Sequence, residues 1–337
     1  DPECPAWDEI DSVPDMKGRT FSEDEWDHRM AVYAAMIDRV DQGIGRLLDR
    51  IREKRDLDNT VIVFLADNGA CAELHDPVPD VPAGPKESAT ACFLPWANAS
   101  NTPFRLFKHW LHEGGSATPF IVHWPGRIAA GSQCNSLVSS IDIAPTFLEM
   151  AALSTPKVFE GRSFLPLLRN PQKSIRDYVF AERNWHDYED RVRAVRNSRF
   201  KYIRNFYDDL PNTPPADVVR SVAYREMIRL RDEGRLVDAQ KNTFIQPRAK
   251  EELYDTQSDP FELKNLASDP AQAKRLKRFR HTLIKWQKET DDYEPKFRTL
   301  DEFGRENGQA LPVRERPRPD KVEMTKRLEK HYLKQAK

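Results

Sequence analysis

The sequence predicts an α/β protein in which an open sheet domain is followed by a smaller α+β domain. Six apolar residues at 61–66 lead into an acid, an amide and a glycine at 67–69, which is typical of a strand buried on both faces and closed by a turn. Residues 118–125 (TPFIVHWP) form a second run of this kind. Between 176 and 206 the pattern changes to short alternating segments, which indicate antiparallel strands with one solvated face.

The first domain is predicted to begin with a long helix. Apolar residues recur every three or four positions from Glu23 to about Arg55, and Ser22 and Glu25 fit a capping box at the start. A turn then leads into the first strand, so we expect a helix followed by a parallel strand, as in half of a crossover unit. Residues 72–100 hold several prolines and no periodicity, and we expect a long loop there.

The second domain is predicted to contain about four antiparallel strands with one helix packed on them. The candidate strands lie at 178–182, 191–196, 200–204 and 252–255. A helix from about 270 to 289 carries one apolar stripe, formed by Leu276, Phe279, Leu283 and Trp286. The predicted division is 1–155 for the first domain, 156–300 for the second and 301–337 for a charged tail.

Composition and charge exclude several classes of protein. The 337 residues carry 53 basic and 54 acidic side chains, and the net charge of −1 argues against a nucleic-acid binder that relies on bulk charge. No apolar run approaches the roughly 20 residues that a membrane-spanning helix needs. The four cysteines contain no Cys-x-x-Cys pair, and we expect free or partly paired thiols. Composition predicts no particular oligomeric state.

The acid–amide pair is the first candidate functional site. Asp67 and Asn68 are expected just past the carboxyl end of a strand, where open α/β sheets place their ligands. Two adjacent oxygen-bearing side chains suit a hard cation such as Ca²⁺ or Mg²⁺. The alternative is an Asp-Asn-Gly turn without a ligand.

Together with this pair, a later segment resembles the sulfatase family. Lys108 lies five residues before a Glu-Gly-Gly run at 113–115, and the strand at 118–125 then ends in Trp-Pro. This order is similar to that of arylsulfatase-like members of the family, within the alkaline-phosphatase-like superfamily. The runs at 181–188 and 253–266 look most like heparan N-sulfatase relatives. The resemblance implies that the first domain is the C-terminal part of an alkaline-phosphatase-like sheet, mixed or parallel.

The resemblance also implies a reaction and its residues. Sulfatases hydrolyse a sulfate ester or sulfamate with a formylglycine nucleophile and a divalent metal. Asp67 and Asn68 would bind the metal, with Ca²⁺ expected and Mg²⁺ as the alternative, and Lys108 would be a catalytic residue that contacts a sulfate oxygen. Candidates for substrate binding are His109, His112 and His186. The implied partner is a sulfated small molecule or glycan, without nucleic acid or a membrane span, and resemblance alone favours a periplasmic or secreted protein.

The motif from which formylglycine is made, Cys/Ser-x-Pro-x-Arg, is missing from the sequence. Cys92 and Ser154 begin near matches without the arginine, and Asn101 begins a match whose first residue cannot be oxidised to the aldehyde. We therefore expect the nucleophile, with the N-terminal part of the catalytic domain, to lie upstream of Asp1. We expect this chain alone to bind calcium weakly and to hydrolyse no sulfate ester.

Two alternative functions remain open at this point. One is a phosphoester or phosphonate hydrolase of the same superfamily, which a lone Thr or Ser nucleophile with additional metal ligands would favour. The other is a catalytically inactive sulfatase-like binding protein, which a gene that begins at Asp1 would favour.

Overall fold

The computed structural model describes residues 22–73, 81–88, 90–296 and 298–312. Its strands are β1 (Ile62–Leu65), β2 (Phe120–His123), β3 (Val179–Trp185), β4 (Glu189–Arg196), β5 (Phe200–Asn205) and β6 (Glu251–Asp255). Its α-helices are α1 (Glu23–Glu53), α2 (Phe93–Asn101), α3 (Glu113–Ser116), α4 (Ile143–Met150), α5 (Leu165–Arg169), α6 (Ala216–Val219), α7 (Val222–Asp232), α8 (Asp238–Lys241) and α9 (Ala273–Glu289). Among the described helices, none is both long enough and apolar enough to cross a membrane.

The long first helix is confirmed, together with its capping box. The backbone N–H of Ser22 donates to the carboxylate of Glu25 at 2.9 Å, and the Ser22 hydroxyl accepts from the Glu25 N–H at 3.3 Å. These two bonds satisfy two of the donors that a helix start leaves open. Among the described residues the apolar stripe is buried at its start, whereas Ile37, Val40 and Leu47 further along are exposed. Trp26 is 5% exposed, whereas Leu47 near the other end is 66% exposed.

The first two strands form an antiparallel pair, in which Leu65 lies opposite Phe120. The expectation that β1 is a parallel strand following its helix is therefore wrong for this pair. Full burial is wrong as well, because Phe64 is 46% and Ile121 is 59% exposed. A run of β-branched residues reports strand propensity, but it does not report the direction of the neighbouring strand or how many layers cover it.

The expected loop at 72–100 contains a helix, α2. Pro95 hides it from pattern analysis, although proline is tolerated in the first turn because its missing N–H has no partner there. The helix packs on the start of α1: the rings of Trp26 and Phe93 meet edge to face at 5.7 Å, and the indole N–H of Trp96 donates to the Trp26 carbonyl at 3.0 Å. Residues 74–80 and 89 of this stretch lie outside the described residues.

The second sheet confirms the prediction of four antiparallel strands with one helix packed on them. Its strand order is β3-β4-β5-β6. One face packs on α9 through a cluster of Val195, Tyr202, Leu253, Leu276, Phe279 and Leu283. The other face packs on the segment that follows Lys108, through Leu111, Val192, Ala194, Ile203 and Tyr254. We call this second face, which contacts Leu111, the inner face of the sheet. It packs against the segment that follows Lys108.

The described part of the predicted tail packs against the second sheet. Glu189 donates its N–H to the carboxylate of Asp301 at 2.7 Å, and the Tyr188 hydroxyl donates to the Gly304 carbonyl at 3.3 Å. Residues 301–312 are therefore not a free surface tail, because Asp301 and Gly304 accept hydrogen bonds from the start of β4 and from the turn before it. Residues 313–337 of the tail, like residues 1–21, lie outside the described residues, and the proposed domain boundaries remain a prediction.

Candidate active site

The two sequence motifs of the first domain touch each other through their glycines. The Gly69 N–H, just past Asp67 and Asn68, donates to the Gly115 carbonyl at 3.2 Å. A Cβ atom on Gly69 would lie 1.7 Å from the carbonyl oxygen of Gly114, so no other residue type fits without a backbone shift. The end of β1 and the Glu-Gly-Gly run are therefore neighbours in the fold.

Asn101 fixes the segment between these two motifs. Its side-chain amide donates to the carbonyl oxygens of Leu106 and Gly114, each at 2.8 Å, and its side-chain oxygen accepts from the Ala70 N–H at 3.0 Å. One side chain thus satisfies backbone groups from three loops. Asn101 therefore has a structural role, which the motif spacing around it does not predict.

Lys108 lies beside the loop that follows β1. Its backbone N–H donates to the Ala70 carbonyl at 3.0 Å, two residues after Asn68. Its ammonium group lies 2.6 Å from a carboxylate oxygen of Glu73 and 3.9 Å from the sulfur of Cys71. The hydrogen bond to Glu73 raises the pKa of Lys108 above its ordinary value, so the group is a permanent cation at neutral pH.

The predicted metal ligands supply part of a coordination shell. Asp67 is exposed and Asn68 is partly exposed, in the bend directly after β1, so both side chains are accessible to a cation. Their oxygens suit Ca²⁺ or Mg²⁺, yet Ca²⁺ requires six to eight ligands. No group of three or more His, Cys, Asp or Glu side chains that could hold a metal was found among the described residues. Asp67 and Asn68 are therefore suitable ligand types for a hard cation, but two side chains are too few to complete its coordination shell.

Two of the three candidate histidines lie together next to Lys108. The rings of His109 and His186 meet edge to face with centroids 5.2 Å apart. A hydrogen bond to Asp187 raises the pKa of His186, against the lowering effect of burial, and the charges of Glu73 and Asp217 raise it further. Burial lowers the pKa of His109 well below its ordinary value, and the guanidinium of Arg183 lowers it further. A neutral imidazole therefore lies against one that protonates readily.

The third histidine lies elsewhere. His112 precedes α3, where its Nε2 atom lies 3.3 Å from the carboxylate of Glu252 and its ring lies 5.8 Å from that of Tyr254. These contacts place the side chain against the second sheet. His109 and His112 do not share a helix, because α3 begins only at Glu113 and His109 has a positive φ of 92°.

Glu113 is the most strongly paired residue of this segment. Its carboxylate lies 2.7 Å from the ammonium of Lys201 and 3.0 Å from the guanidinium of Arg196, both on the second sheet. The Glu113 N–H donates to the buried carboxylate of Glu262 at 2.7 Å. Glu113 and the two glycines belong to the short helix α3, and the acid attaches this helix to the second sheet.

Several residues of the site carry no signal in the sequence. Glu73 lies in the expected loop, and Asp187 and Asp217 come from the second half of the chain. Glu73 and Asp217 act on residues more than 30 positions away, so no local pattern reports them, whereas Asp187 acts on its neighbour His186. The nearby Cys71 is free, as are the other two described cysteines, Cys92 and Cys134, while Cys4 lies outside the described residues.

Comparison with known proteins identifies the class. The sulfatase family model matches residues 3–153, and the model for the C-terminal part of N-sulphoglucosamine sulphohydrolase matches residues 104–216. Both matches include Lys108 and the Glu-Gly-Gly run. The chain belongs to the sulfatase family, as its motifs indicated, and its fold is that of the alkaline-phosphatase-like superfamily.

Individual relatives support this assignment. The chain is 31% identical over 252 residues to an ulvan-active sulfatase of Formosa agariphila, which covers 74% of this chain and 36% of that relative. It is 26% identical over 276 residues to the N-sulphoglucosamine sulphohydrolase of Homo sapiens, covering 78% of this chain and 48% of the relative. A structure solved with its substrate D-glucosamine-2-N,6-O-disulfate superposes with a TM-score of 0.52 at 24% identity, over 76% of this chain and 40% of the other. The chain thus spans less than half of the length of each of these proteins.

Proposed function

We propose that these residues form one part of a sulfatase active site, which hydrolyses a sulfate ester or sulfamate of a sulfated glycan. The observation that carries the proposal is the hydrogen bond from the Lys108 backbone to Ala70, since it brings a permanent cation to the loop that carries Asp67 and Asn68. A sulfate group would fit between the Lys108 ammonium group and a metal ion bound by Asp67 and Asn68, because both would stabilise its negative charge. In this proposal the formylglycine nucleophile comes from residues outside this sequence.

Each described side chain has a role in the proposal. Lys108 binds a sulfate oxygen, and an entering sulfate competes with Glu73 for its ammonium group. His186 is held by Asp187, with its Nδ1 atom 3.2 Å from the carboxylate, so that its other ring nitrogen is available to the substrate or to the leaving oxygen. His109 supports the His186 ring from a half-buried position. His112 acts through the second sheet, away from the substrate.

The residues at 67 and 68 fit a hard cation in chemical character, with further ligands from outside the described residues. When bound, Ca²⁺ or Mg²⁺ would supply positive charge next to the sulfate oxygens. Asp67 and Asn68 would hold it through one carboxylate and one amide oxygen.

A carbohydrate substrate is supported by the relatives. Their names describe action on ulvan, on N-acetylglucosamine 6-O-sulfate and on N-sulphoglucosamine. The family model for the C-terminal part of the last of these matches residues 104–216, a range that includes both Lys108 and His186. A sulfated sugar residue is therefore the proposed substrate class.

The test measures release of inorganic sulfate by the gene product that carries this sequence, on a panel of sulfated monosaccharides and a matched phosphate monoester. Lys108→Ala is expected to lower kcat about 10²–10³-fold, as loss of one charge-stabilising donor typically does. Lys157→Ala removes an exposed lysine elsewhere and should leave kcat unchanged. Preferential hydrolysis of the phosphate ester, or an unchanged kcat for Lys108→Ala, would overturn the proposal.

A further inference from the structure

Helix α9 carries a concentration of positively charged side chains. Its 17 residues contain seven Lys and Arg side chains and one acid, Glu289. The whole chain has a net charge of −1, so acidic side chains elsewhere offset this surplus.

The charges of α9 lie along one face. Lys274, Lys277, Arg278, His281, Lys285 and Lys288 follow one another at steps of one, three or four residues, and all six are exposed. With 100° per residue this spacing keeps them on one stripe, which we call the basic stripe. The buried Leu276, Phe279 and Leu283 occupy the opposite face and pack on the second sheet. From first to last residue the stripe extends about 21 Å along the helix axis.

Most of these charges have no acidic partner within the part of the chain that the structure describes. Lys285 lies 3.7 Å from Glu289, but no ion pair joins Lys274, Lys277, Arg278 or Lys288 to any described carboxylate. Some exposed arginines of other helices do have acidic partners, as Arg50 has in Glu53 and Arg229 has in Glu226. Neighbouring positive charges in a row repel one another. An extended polyanion that binds along the row relieves this repulsion and releases counterions, which favours binding.

We propose that the basic stripe binds a sulfated polysaccharide chain, as an anchoring surface separate from the candidate active site. This inference rests on the proposed function, because the expected substrate is part of such a polymer. A row of about 21 Å is longer than one sulfated sugar, so it suits a chain with repeated anionic groups. The stripe faces away from the sheet whose inner face contacts Leu111, so the same sugar residue does not reach both surfaces. A polymer held there keeps the enzyme on its substrate between turnovers.

The test measures binding of the purified chain to dextran sulfate at several salt concentrations, with uncharged dextran as the blank. The stripe variant combines Lys274→Gln, Lys277→Gln, Arg278→Gln and Lys288→Gln. The control variant combines Lys54→Gln, Lys157→Gln, Lys173→Gln and Arg169→Gln, which removes the same charge from exposed positions elsewhere. The stripe variant should bind at least about tenfold more weakly and with a shallower salt dependence, because fewer counterions are released. The control should retain most of the affinity.

Equal losses in the two variants would overturn the proposal, since net charge alone would then explain binding. Stronger stripe-dependent binding to single-stranded DNA or to phosphatidylserine vesicles than to dextran sulfate would also overturn it. Binding is read without turnover, so failure of the proposed sulfatase activity would leave this result interpretable. Circular dichroism of both variants confirms that the helix persists.

Discussion

Gly69 donates its amide hydrogen to the carbonyl of Gly115, and through this contact the loop after β1 and the Glu-Gly-Gly run form one structural unit. The two motifs are more than 40 residues apart in the sequence. Their contact depends on the absence of side chains, because a Cβ on Gly69 would meet the Gly114 carbonyl at 1.7 Å.

Gly69→Ala should therefore destabilise the protein by about 3 kcal/mol, as overpacking against the backbone does. Gly45→Ala is the matched control: Gly45 lies in α1, and a Cβ there meets nothing within 4 Å. That substitution should raise stability by about 0.5–1 kcal/mol, because alanine favours a helix more than glycine does. Urea unfolding of the two variants measures the difference, and equal stabilities would contradict the close contact.

Removal of the Asn101 side chain should loosen the same unit. Asn101→Ala leaves the carbonyls of Leu106 and Gly114 and the N–H of Ala70 without these partners. Each unsatisfied buried group costs about 1–3 kcal/mol, so we expect a loss of at least about 2 kcal/mol in the free energy of unfolding. Asn135→Ala, at an exposed position, should change it by less than about 0.5 kcal/mol. Similar unfolding midpoints for both variants would contradict the bridging role.

The attachment of Glu113 to the second sheet predicts a loss of stability in acid. Burial alone would raise the pKa of Glu113, but Lys201 and Arg196 outweigh it and lower the pKa below its ordinary 4.5. A lowered carboxyl pKa contributes stability that is present above about pH 4.5 and is lost as the pH falls through the lowered value. Glu113→Gln should cost about 3 kcal/mol at pH 7, because it removes the nearer of the two carboxylates that pair with the buried Lys201 and leaves only Glu262 at 3.4 Å.

The difference between wild type and Glu113→Gln should therefore shrink as the pH falls below about 4.5. Glu226→Gln removes a surface ion pair with Arg229 and should change stability by less than about 1 kcal/mol at any pH. A constant difference between wild type and Glu113→Gln from pH 7 to pH 3 would show that its ion pairs do not contribute as described.

The pKa values of His109 and His186, whose rings are in contact, should differ widely. An NMR titration of the imidazole resonances is expected to give His186 a pKa above its ordinary 6.5, and His109 a pKa well below it. Asp187→Asn keeps the shape of the acceptor and removes its charge, so the pKa of His186 should fall. Asp232→Asn, on the exposed end of α7, should leave it unchanged. The His186 pair contributes stability below about pH 6.5, and this contribution is lost as the pH rises through the raised pKa.

The sequence predicted those parts of the fold that depend on local patterns. Periodicity located α1 and α9, alternation located the four strands of the second sheet, and a capping box located the first residue of α1. The helix α2 was missed because Pro95 masks its first turn. The antiparallel direction of β1 and β2 was missed because strand direction is set by long-range pairing, which a single run does not encode.

The candidate site divides in the same way. Motif resemblance selected Asp67, Asn68 and Lys108, and the structure brings the segments that carry them together through Ala70 and Gly115. The partners that set the charges of the site were not predictable. Glu73 lies in a patternless loop, and Asp187 and Asp217 belong to a second domain whose approach to Lys108 depends on packing around Leu111.

A crystal structure of the gene product with calcium and inorganic sulfate would test the convergence of Asp67, Asn68 and Lys108. We expect a cation about 2.3–2.6 Å from oxygens of both Asp67 and Asn68, and a sulfate oxygen within hydrogen-bonding distance of the Lys108 ammonium group, displaced from Glu73. A cation bound away from residues 67 and 68, or a sulfate held elsewhere while Lys108 remains paired with Glu73, would contradict a shared site.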